Sequence, residues 1–417
     1  MGPPESGGRK GRLEPWQQVL FAVAATCFVS FMGFSFVQPF LPFYVRSLGV
    51  ERPEEVARWT GLILGVSPFI SATTAPFWAV LAQRMGARRL LSQAAIGYAV
   101  LLFLMMIVTN VWQLFFLRTA FGLFGGFNGL ANGLVAVAAP RDRMPQALGL
   151  VQASQILGTA VGPFLGGLTA DFLGMRWAFG LAGLSMLASV FLTLVGLKPA
   201  GQAVALDAGR GAGGVQQLGV LLGLAGFLPV LVVLFLGRAV ERSVDPVLPL
   251  YVHELAPDAQ VATLTGIIAG AGTLATACSA ALVGRISARF SVRTCLIWAL
   301  VAGALCAAPI ALVTSVWQLF VLRVLWGLLA GGSLTLALGL GGLLLPRSQR
   351  TVAYGLLGSA TGYGASVGAL SSGILGSFHL STVFAIDGVI YLVCALWVWR
   401  AVPEVTTSPR SIAPAPR

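Results

Sequence analysis

The feature that most constrains this chain is a series of twelve long apolar runs. They start, in chain order, near Val19, Trp59, Leu90, Val111, Ala147, Ala178, Phe227, Ala262, Cys295, Val316, Val352 and Thr382. A helix needs about 20 apolar residues to cross a bilayer. Only 10% of the 417 residues are charged, whereas a soluble domain carries roughly 25% charged residues. The sequence therefore predicts an all-α membrane protein with twelve transmembrane helices.

Basic residues predict the orientation of these helices. If the N-terminus is inside, 18 of the 26 Lys and Arg residues lie in the inner loops, the tails and the central linker. Four lie in outer connections, namely Arg46, Arg52, Arg58 and Arg176. Because basic loops stay on the cytoplasmic side, we expect a multi-pass protein of the inner (plasma) membrane with both termini cytoplasmic. The charge of +12 is spread over short loops, so nucleic-acid binding is not expected.

Two halves of the chain repeat each other. "VWQLFFLR" at 111–118 returns as "VWQLFVLR" at 316–323, and "QPFLPFYV" at 38–45 matches "DPVLPLYV" at 245–252. The offset stays between 205 and 207 residues. The matched loops are basic in both copies, so both copies have the same orientation in the membrane. Because each copy must then begin and end on the same side, each contains an even number of helices. We therefore expect two parallel six-helix repeats, a plan used by many secondary transporters.

These observations set the expected domain limits. They are a disordered cytoplasmic tail at 1–12, a six-helix bundle at 13–197, a flexible cytoplasmic linker at 198–216, a second six-helix bundle at 217–402 and a cytoplasmic tail at 403–417. The five cysteines fall in or beside apolar runs, and no metal-ligand spacing occurs. Neither a disulfide framework nor a metal site is expected, and no cofactor is predicted.

The fifth run, "GLVQASQILGTAVGPFLGG" at 149–167, has the form G-x8-G-x3-G-P-x2-G-G. Small residues let a neighbouring helix approach closely, and proline bends a helix. Any glycine-rich membrane helix could pack in this way, but the spacing resembles the antiporter motif of the major facilitator superfamily. Over roughly residues 15 to 402, the chain resembles the drug:proton antiporter branch of that superfamily. The motif positions are Gly149, Gly158, Gly162, Pro163, Gly166 and Gly167.

Two further segments carry the resemblance. "AVLAQRMGARRLL" at 79–91 is similar to the loop between the second and third helices of the family, with Arg84, Gly86 and Arg88 at matching positions. In the family, an acidic residue there helps to lock the halves together on the cytoplasmic side. Gln83 stands at that position, so the contact that holds the halves together in the family lacks its negative charge here. "LRTAFGLFGG" resembles the fourth-helix motif, in which the arginine, here Arg118, is linked to proton transfer. The alternative is that Arg118 extends to the outer lipid headgroups.

The seventh run contains four charges within eight residues: Arg238, Glu241, Arg242 and Asp245. Glu241 and Asp245 lie four residues apart, on one helix face. Two close carboxylates resist joint ionisation, which suits a proton carrier. The alternative is static pairing of each carboxylate with the arginine three residues before it. Asp387 is a weaker candidate for proton coupling.

The resemblance implies a secondary active transporter that exports small amphipathic, drug-like compounds in exchange for protons by alternating access. Efflux of a sugar or another metabolite is the alternative, and a non-transporting receptor is a third. No motif of a nucleotide-binding protein or hydrolase occurs in the sequence, so no enzymatic activity is expected. Substrate contacts are expected from Gln38, Asn128 and Asn132. The expected partners are the substrate, protons and the bilayer, and the protein is expected to be a monomer.

Overall fold

The computed structural model describes residues 14–140, 143–197, 226–287, 289–344 and 350–402. The predicted tails and the linker at 198–216 lie outside these residues. Twelve helical segments follow one another: α1 (Pro15–Ser35, continued after a 3-10 turn at Gln38–Phe40 by Leu41–Ser47), α2 (Pro53–Met85), α3 (Ala87–Met106), α4 (Val111–Gly122 and Phe127–Ala138), α5 (Met144–Phe172), α6 (Met175–Gly196), α7 (Phe227–Leu255), α8 (Val261–Ile286), α9 (Val292–Ile310), α10 (Val316–Ala330 and Ser333–Leu344), α11 (Arg350–Gly376) and α12 (Leu380–Ala401).

Within the described ranges, eight of these segments are long and apolar enough to cross a membrane. The other four are α2, α4, α7 and α11. The charged stretch of the seventh run lies in α7, and α4 is interrupted at 123–126. Both α2 and α7 pack along α11, and a helix covered by protein needs fewer apolar residues than one that faces lipid. The predicted count of twelve helices therefore agrees with the described part of the chain.

The repeated stretch "VWQL" begins a helix in both halves in the same way. The side chain of Asn110 accepts a hydrogen bond from the backbone N–H of Gln113, and Ser315 does the same for Gln318. Each glutamine side chain also accepts a hydrogen bond from a backbone N–H just before the helix. Such reciprocal caps satisfy donors that a helix start leaves unpaired. The repeat at 111–118 and 316–323 is thus a helix-start signal used twice.

Helix contacts repeat between the halves as the sequence predicts. In the first half α1 packs against α5 and α6, and in the second half α7 packs against α11 and α12. The pair α3 and α6 corresponds in the same way to α9 and α12. Between the halves, the main contacts are α5 with α8 and α2 with α11. Each of these two interfaces is the repeat image of the other.

The halves meet along one end of the bundle and separate towards the other. We call the end at which the even-numbered helices begin the outer end, following the predicted orientation. A Cβ on Gly61 of α2 would lie 2.7 Å from the Cα of Gly373 on α11, and a Cβ on Gly270 of α8 would lie 2.6 Å from the carbonyl oxygen of Ala160 on α5. Nearer the inner end, Gly149, Gly284 and Gly358 have open space where a Cβ would stand. The conformation is therefore closed at the outer end.

Exposed tryptophans lie near both ends of the helices. Trp112, Trp177 and Trp317 are close to the outer ends of α4, α6 and α10, and Trp399 is close to the inner end of α12. Each is more than half exposed. Tryptophan is enriched where a membrane protein meets the lipid headgroups. Their positions fit a bundle whose twelve segments cross a bilayer.

Candidate coupling site

The charged stretch of α7 forms two ion pairs along one helix. Arg238 donates to Glu241 at 2.6 Å, and Arg242 donates to Asp245 at 2.9 Å. Residues three apart are neighbours on a helix surface, so α7 itself brings the partners together. In this conformation each carboxylate is paired with the arginine three residues before it, and a role of Glu241 and Asp245 in proton coupling stays a prediction.

Asp245 also faces the first half of the protein. The side-chain amide of Gln38 lies 3.5 Å from the Asp245 carboxylate, which makes a long hydrogen bond. Gln38 is the repeat counterpart of Asp245, as the alignment of 38–45 with 245–252 predicts. The contact joins α1 to α7 in the outer half of the bundle. A group that titrates here would therefore act at the junction of the two halves.

Arg323, on α10, lies beside the α7 carboxylates. Its guanidinium stacks over the ring of Trp326 at 4.9 Å from the ring centroid. It interacts electrostatically with Glu241, Asp245, Tyr391 and Asp387. A cavity of about 20 Å³ is lined by residues of α7, α8, α10 and α12 that include Glu241 and Arg323. A cavity of this size holds about one water molecule, so it fits water or a proton pathway rather than a substrate.

Arg118 occupies the corresponding position in the first half but has different surroundings. Its side chain is 6% exposed, and its guanidinium lies 5.4 Å from the centroid of the Phe121 ring. No carboxylate in the described part of the chain pairs with it. The structure thus brings Arg323, rather than Arg118, next to Glu241 and Asp245. A role for Arg118 in proton coupling stays a prediction.

A buried carboxyl group completes the polar cluster of the second half. Asp387 of α12 is 3% exposed, and the hydroxyl of Ser243 on α7 lies 2.6 Å from its Oδ2 atom. Nearby, the Trp326 indole donates to the Tyr391 hydroxyl at 3.3 Å. We call Glu241, Ser243, Arg323, Asp387 and Tyr391 the second-half polar cluster.

Three members of this cluster were not singled out from the sequence: Ser243, Tyr391 and, as a partner of the carboxylates, Arg323. The sequence did contain a signal for Arg323, namely its match to Arg118 inside an apolar run. An arginine in such a place needs a partner or an aqueous cavity. For Ser243 and Tyr391 the sequence carries no comparable signal. Their role depends on α7 and α12 packing together.

Two of the three residues predicted to contact substrate lie on α4. Asn132 is half-buried on its second part, and the side chain of Asn128 lies outside the described residues. The structure does not bring Asn132 into the second-half polar cluster. That these asparagines and Gln38 contact substrate stays a prediction.

The glycine motif of α5 lies against two helices. A Cβ at Gly158, Gly162 or Gly166 would clash with the α1 backbone, and one at Gly167 would clash with α8. Pro163 lies inside α5, and its carbonyl oxygen lies against Gly266 of α8. The repeat counterparts Gly364 and Gly368 lie in the same way against α7. Gly149, in contrast, has open space around its Cβ position.

Among the described side chains of the loop between α2 and α3, Arg88 contacts the first half. Gly86 has a φ of 81°, a left-handed value that favours glycine and allows the sharp turn between α2 and α3. Arg88 donates to the backbone carbonyl of Leu194 at 2.8 Å, near the end of α6. Its counterpart Arg293 donates to the carbonyl of Trp399 near the end of α12. Arg84 is exposed, and the side chain of Gln83 lies outside the described residues.

In the described part of the chain, two residue pairs form three hydrogen bonds between the halves at the outer end. The carboxylate of Asp171 at the end of α5 accepts from the backbone N–H and the hydroxyl of Thr263, both at 2.7 Å. On the opposite side, Arg58 of α2 donates to Ser377 at the end of α11 at 3.1 Å. Beside Asp171 lies a cavity of about 260 Å³, also lined by Phe43, Met175 and His253 among others.

The family profile described as Major Facilitator Superfamily matches residues 23–264 and 230–416. The chain belongs to the major facilitator superfamily. Within this superfamily it is similar to "Multidrug resistance protein MdtG" of Serratia proteamaculans (strain 568), with 31% identity over 93% of this chain and 94% of the relative. The protein of the same name from Dickeya zeae (strain Ech586) is 32% identical over 92% of this chain and 94% of its own length.

Solved structures agree on the superfamily fold. The nucleoside transporter NupG superposes with a TM-score of 0.72 at 15% identity, over 91% of this chain and 98% of NupG. A POT family transporter in complex with 5-aminolevulinic acid gives a TM-score of 0.73 at 13% identity, over 91% and 95% of the two chains. At these identities the likeness concerns the fold alone. The expected major facilitator fold is confirmed.

Proposed function

We propose that this protein exports small amphipathic, drug-like compounds in exchange for protons. The observation that carries this proposal is the similarity, over more than nine-tenths of the chain, to proteins named for multidrug resistance. The polar cluster inside an otherwise apolar bundle supports the coupling, because ionisable residues within a membrane mark ion or substrate pathways. The protein is proposed to work as a monomer in the inner membrane, with both termini in the cytoplasm.

The helix contacts support transport by alternating access. The two halves share repeat-related interfaces, α5 with α8 and α2 with α11, so one half can rock against the other about a central axis. The conformation described here, closed at the outer end, is the one in which a compound enters from the cytoplasm or the inner leaflet. Gln38, Asn128 and Asn132 are proposed to contact the compound.

Proton coupling is proposed to involve α7. Gln38, from the first half, reaches Asp245, so a movement between the halves changes the surroundings of the Arg242–Asp245 pair. Glu241 lines the small cavity together with Arg323. We propose that Glu241 and Asp245 respond to protons and substrate by rearranging their ion pairs, and that Arg118 helps to pass protons through the first half.

The test uses purified protein in proteoliposomes with an imposed pH gradient. Uptake of a permanently charged probe, tetraphenylphosphonium or ethidium, should follow the gradient and stop when a protonophore collapses it. Liposomes without protein are the control. A strain that lacks the gene should also become more susceptible to such compounds, and the plasmid-borne gene should restore resistance. Unchanged susceptibility together with no gradient-driven movement of either probe would overturn the proposal.

A further inference from the structure

We propose that Asp387, held by Ser243, is the group that carries the exchanged proton, and that it is protonated in the conformation closed at the outer end. This inference rests on the proposed proton coupling and names its site. Glu241 and Asp245 already have arginine partners at 2.6 and 2.9 Å, so both are engaged in ion pairs. Asp387 has no such partner among the described residues.

Burial makes the charged form of Asp387 unfavourable. The residue is 3% exposed on α12, and its hydrogen-bonding partner is the uncharged hydroxyl of Ser243. Removing a carboxylate from water is strongly unfavourable unless a cation and several hydrogen bonds compensate for the lost hydration. A carboxyl group in such a place is more stable with its proton bound. A membrane carrier needs a group of this kind, one that holds a proton until its surroundings change.

The single hydroxyl hydrogen of Ser243 also favours a protonated Asp387. The Ser243 oxygen lies 2.8 Å from the carbonyl oxygen of Val240 and 2.6 Å from Oδ2 of Asp387. A hydroxyl has one hydrogen to donate, and a carbonyl oxygen can only accept. If Ser243 donates to Val240, the contact with Asp387 is a hydrogen bond only when Asp387 supplies the hydrogen. A protonated Asp387 makes each contact a full hydrogen bond, whereas an ionised Asp387 would share the single hydroxyl hydrogen with Val240.

The neighbouring groups provide a way to release the proton. From α10, Arg323 interacts electrostatically with Asp387, and Tyr391 lies one turn further along α12. From α7, Glu241 lies two residues before Ser243 and competes for Arg323. The contact between α9 and α12 near Asp387 is made by Ala308 against Gly388 and carries no charge. Movement of α7 or α10 therefore sets how strongly Arg323 stabilises an ionised Asp387.

The proposed step breaks one O–H bond and moves one proton. When the compound binds, α7 shifts, Arg323 moves closer to Asp387, and the carboxyl group releases its proton to water at the open inner end. The Ser243 hydroxyl then turns from Val240 to donate to the new carboxylate. After the halves rock, water at the outer side returns a proton to Asp387, and the compound leaves.

Infrared spectroscopy tests the protonation state directly. Purified wild-type protein at neutral pH should show the carbonyl stretching band of a protonated carboxyl group, and Asp387→Asn should lack it. Asp258→Asn, in the exposed loop between α7 and α8, is the matched control and should keep the band. Ser243→Ala should shift its frequency, because the hydrogen bond to the carboxyl group is lost. A wild-type band unchanged in both Asp387→Asn and Ser243→Ala would overturn the proposal.

Proton release tests the link to transport. Tetraphenylphosphonium has no titratable group, so protons released when it binds to detergent-solubilised protein come from the protein. We expect release from the wild type and from Asp258→Asn, at least ten-fold less from Asp387→Asn, and binding of the probe in all three. A merely structural Asp387 would change stability and leave proton release per bound probe intact, and that result would contradict the proposal.

The two proposals can fail separately. If neither tetraphenylphosphonium nor ethidium releases protons from the wild type, the proposed exchange is wrong, and the role of Asp387 is wrong with it. If the wild type and Asp387→Asn release protons equally, only the role of Asp387 is wrong. If Asp387→Asn cannot be purified, the test relies on the carbonyl stretching band of Ser243→Ala. A band at the wild-type frequency in that variant would contradict the proposal.

Discussion

At the scale of single residues, the repeat leaves the same arginine in two different environments. Arg118 is buried beside Phe121 without a carboxylate partner in the described chain, whereas Arg323 lies among the carboxylates of α7 and α12. Such divergence is expected when two copies of one fold take separate tasks. The carboxylates that interact with Arg323, namely Glu241, Asp245 and Asp387, all belong to the second half.

The Arg242–Asp245 pair leads to a prediction about stability. Asp245→Asn should lower the free energy of unfolding by about 2 kcal/mol, because Arg242 loses its partner while both side chains remain partly exposed. Adding Arg242→Gln should recover most of the loss. The measurement is thermal unfolding of the purified variants in detergent. A single variant that keeps wild-type stability and yet loses uphill export would instead make Asp245 the proton carrier.

At the scale of helices, the glycines of α5 set how closely it approaches its neighbours. Gly162→Ala should reduce export at least ten-fold, because the new Cβ would clash with the α1 backbone at Met32. Gly180→Ala on α6 is the matched control, since its Cβ would face the flexible end of Met106 at 3.3 Å. Export is measured in proteoliposomes at equal protein content. Equal activity of the two variants would show that close packing at Gly162 is dispensable.

The outer closure is also set at the ends of helices. Asp171 accepts from the N–H of Thr263 in the first turn of α8, where a carboxylate satisfies a free donor and interacts favourably with the helix dipole. Arg58 and Ser377 form the repeat-related contact. Because the closure consists of two polar contacts beside glycine-lined interfaces, we expect it to open without unfolding any helix.

Asp171→Ala, which removes the accepting side-chain oxygen, should therefore favour the conformation open at the outer end. Losing a cap costs about 1 kcal/mol, which is about a five-fold change in population. Spin labels at Phe172 and Gln260, in a cysteine-free background, report the distance between the ends of α5 and α8. We expect a larger fraction of long distances than in the parent protein or in Asp258→Asn. An unchanged distance distribution would mean that the glycine interfaces alone keep this end closed.

At the scale of the whole molecule, the basic loops that both parallel halves carry on the same side predict the orientation in the membrane. A cysteine at Glu54, at the start of α2, should react with an impermeant reagent in intact cells. A cysteine at Gly211, in the linker, should react only after the membrane is opened, because the basic loops stay in the cytoplasm. Both variants are made without the native cysteines. The reverse labelling pattern would invert the orientation and, with it, the side from which compounds are taken up.

Much of this architecture could be predicted from the sequence because it depends on local properties. The length of an apolar run determines whether it can span a bilayer, and matching runs 205 to 207 residues apart indicate parallel repeats. The spacing of Gly158, Gly162 and Gly166 likewise predicts a close helix contact, because these positions fall on one helix face.

Only the tertiary structure decided how the polar groups are partnered. Glu241 lies within reach of Arg238 three residues before it and of the Asp245 carboxylate four residues after it, and the sequence allows either arrangement until side-chain positions are known. Ser243 and Asp387 are 144 residues apart, and no local pattern predicts that α7 and α12 bring them into contact. In a bundle of twelve helices, the charges that end up together depend on how each helix is rotated about its axis. Packing over the whole chain sets that rotation, and no single segment determines it.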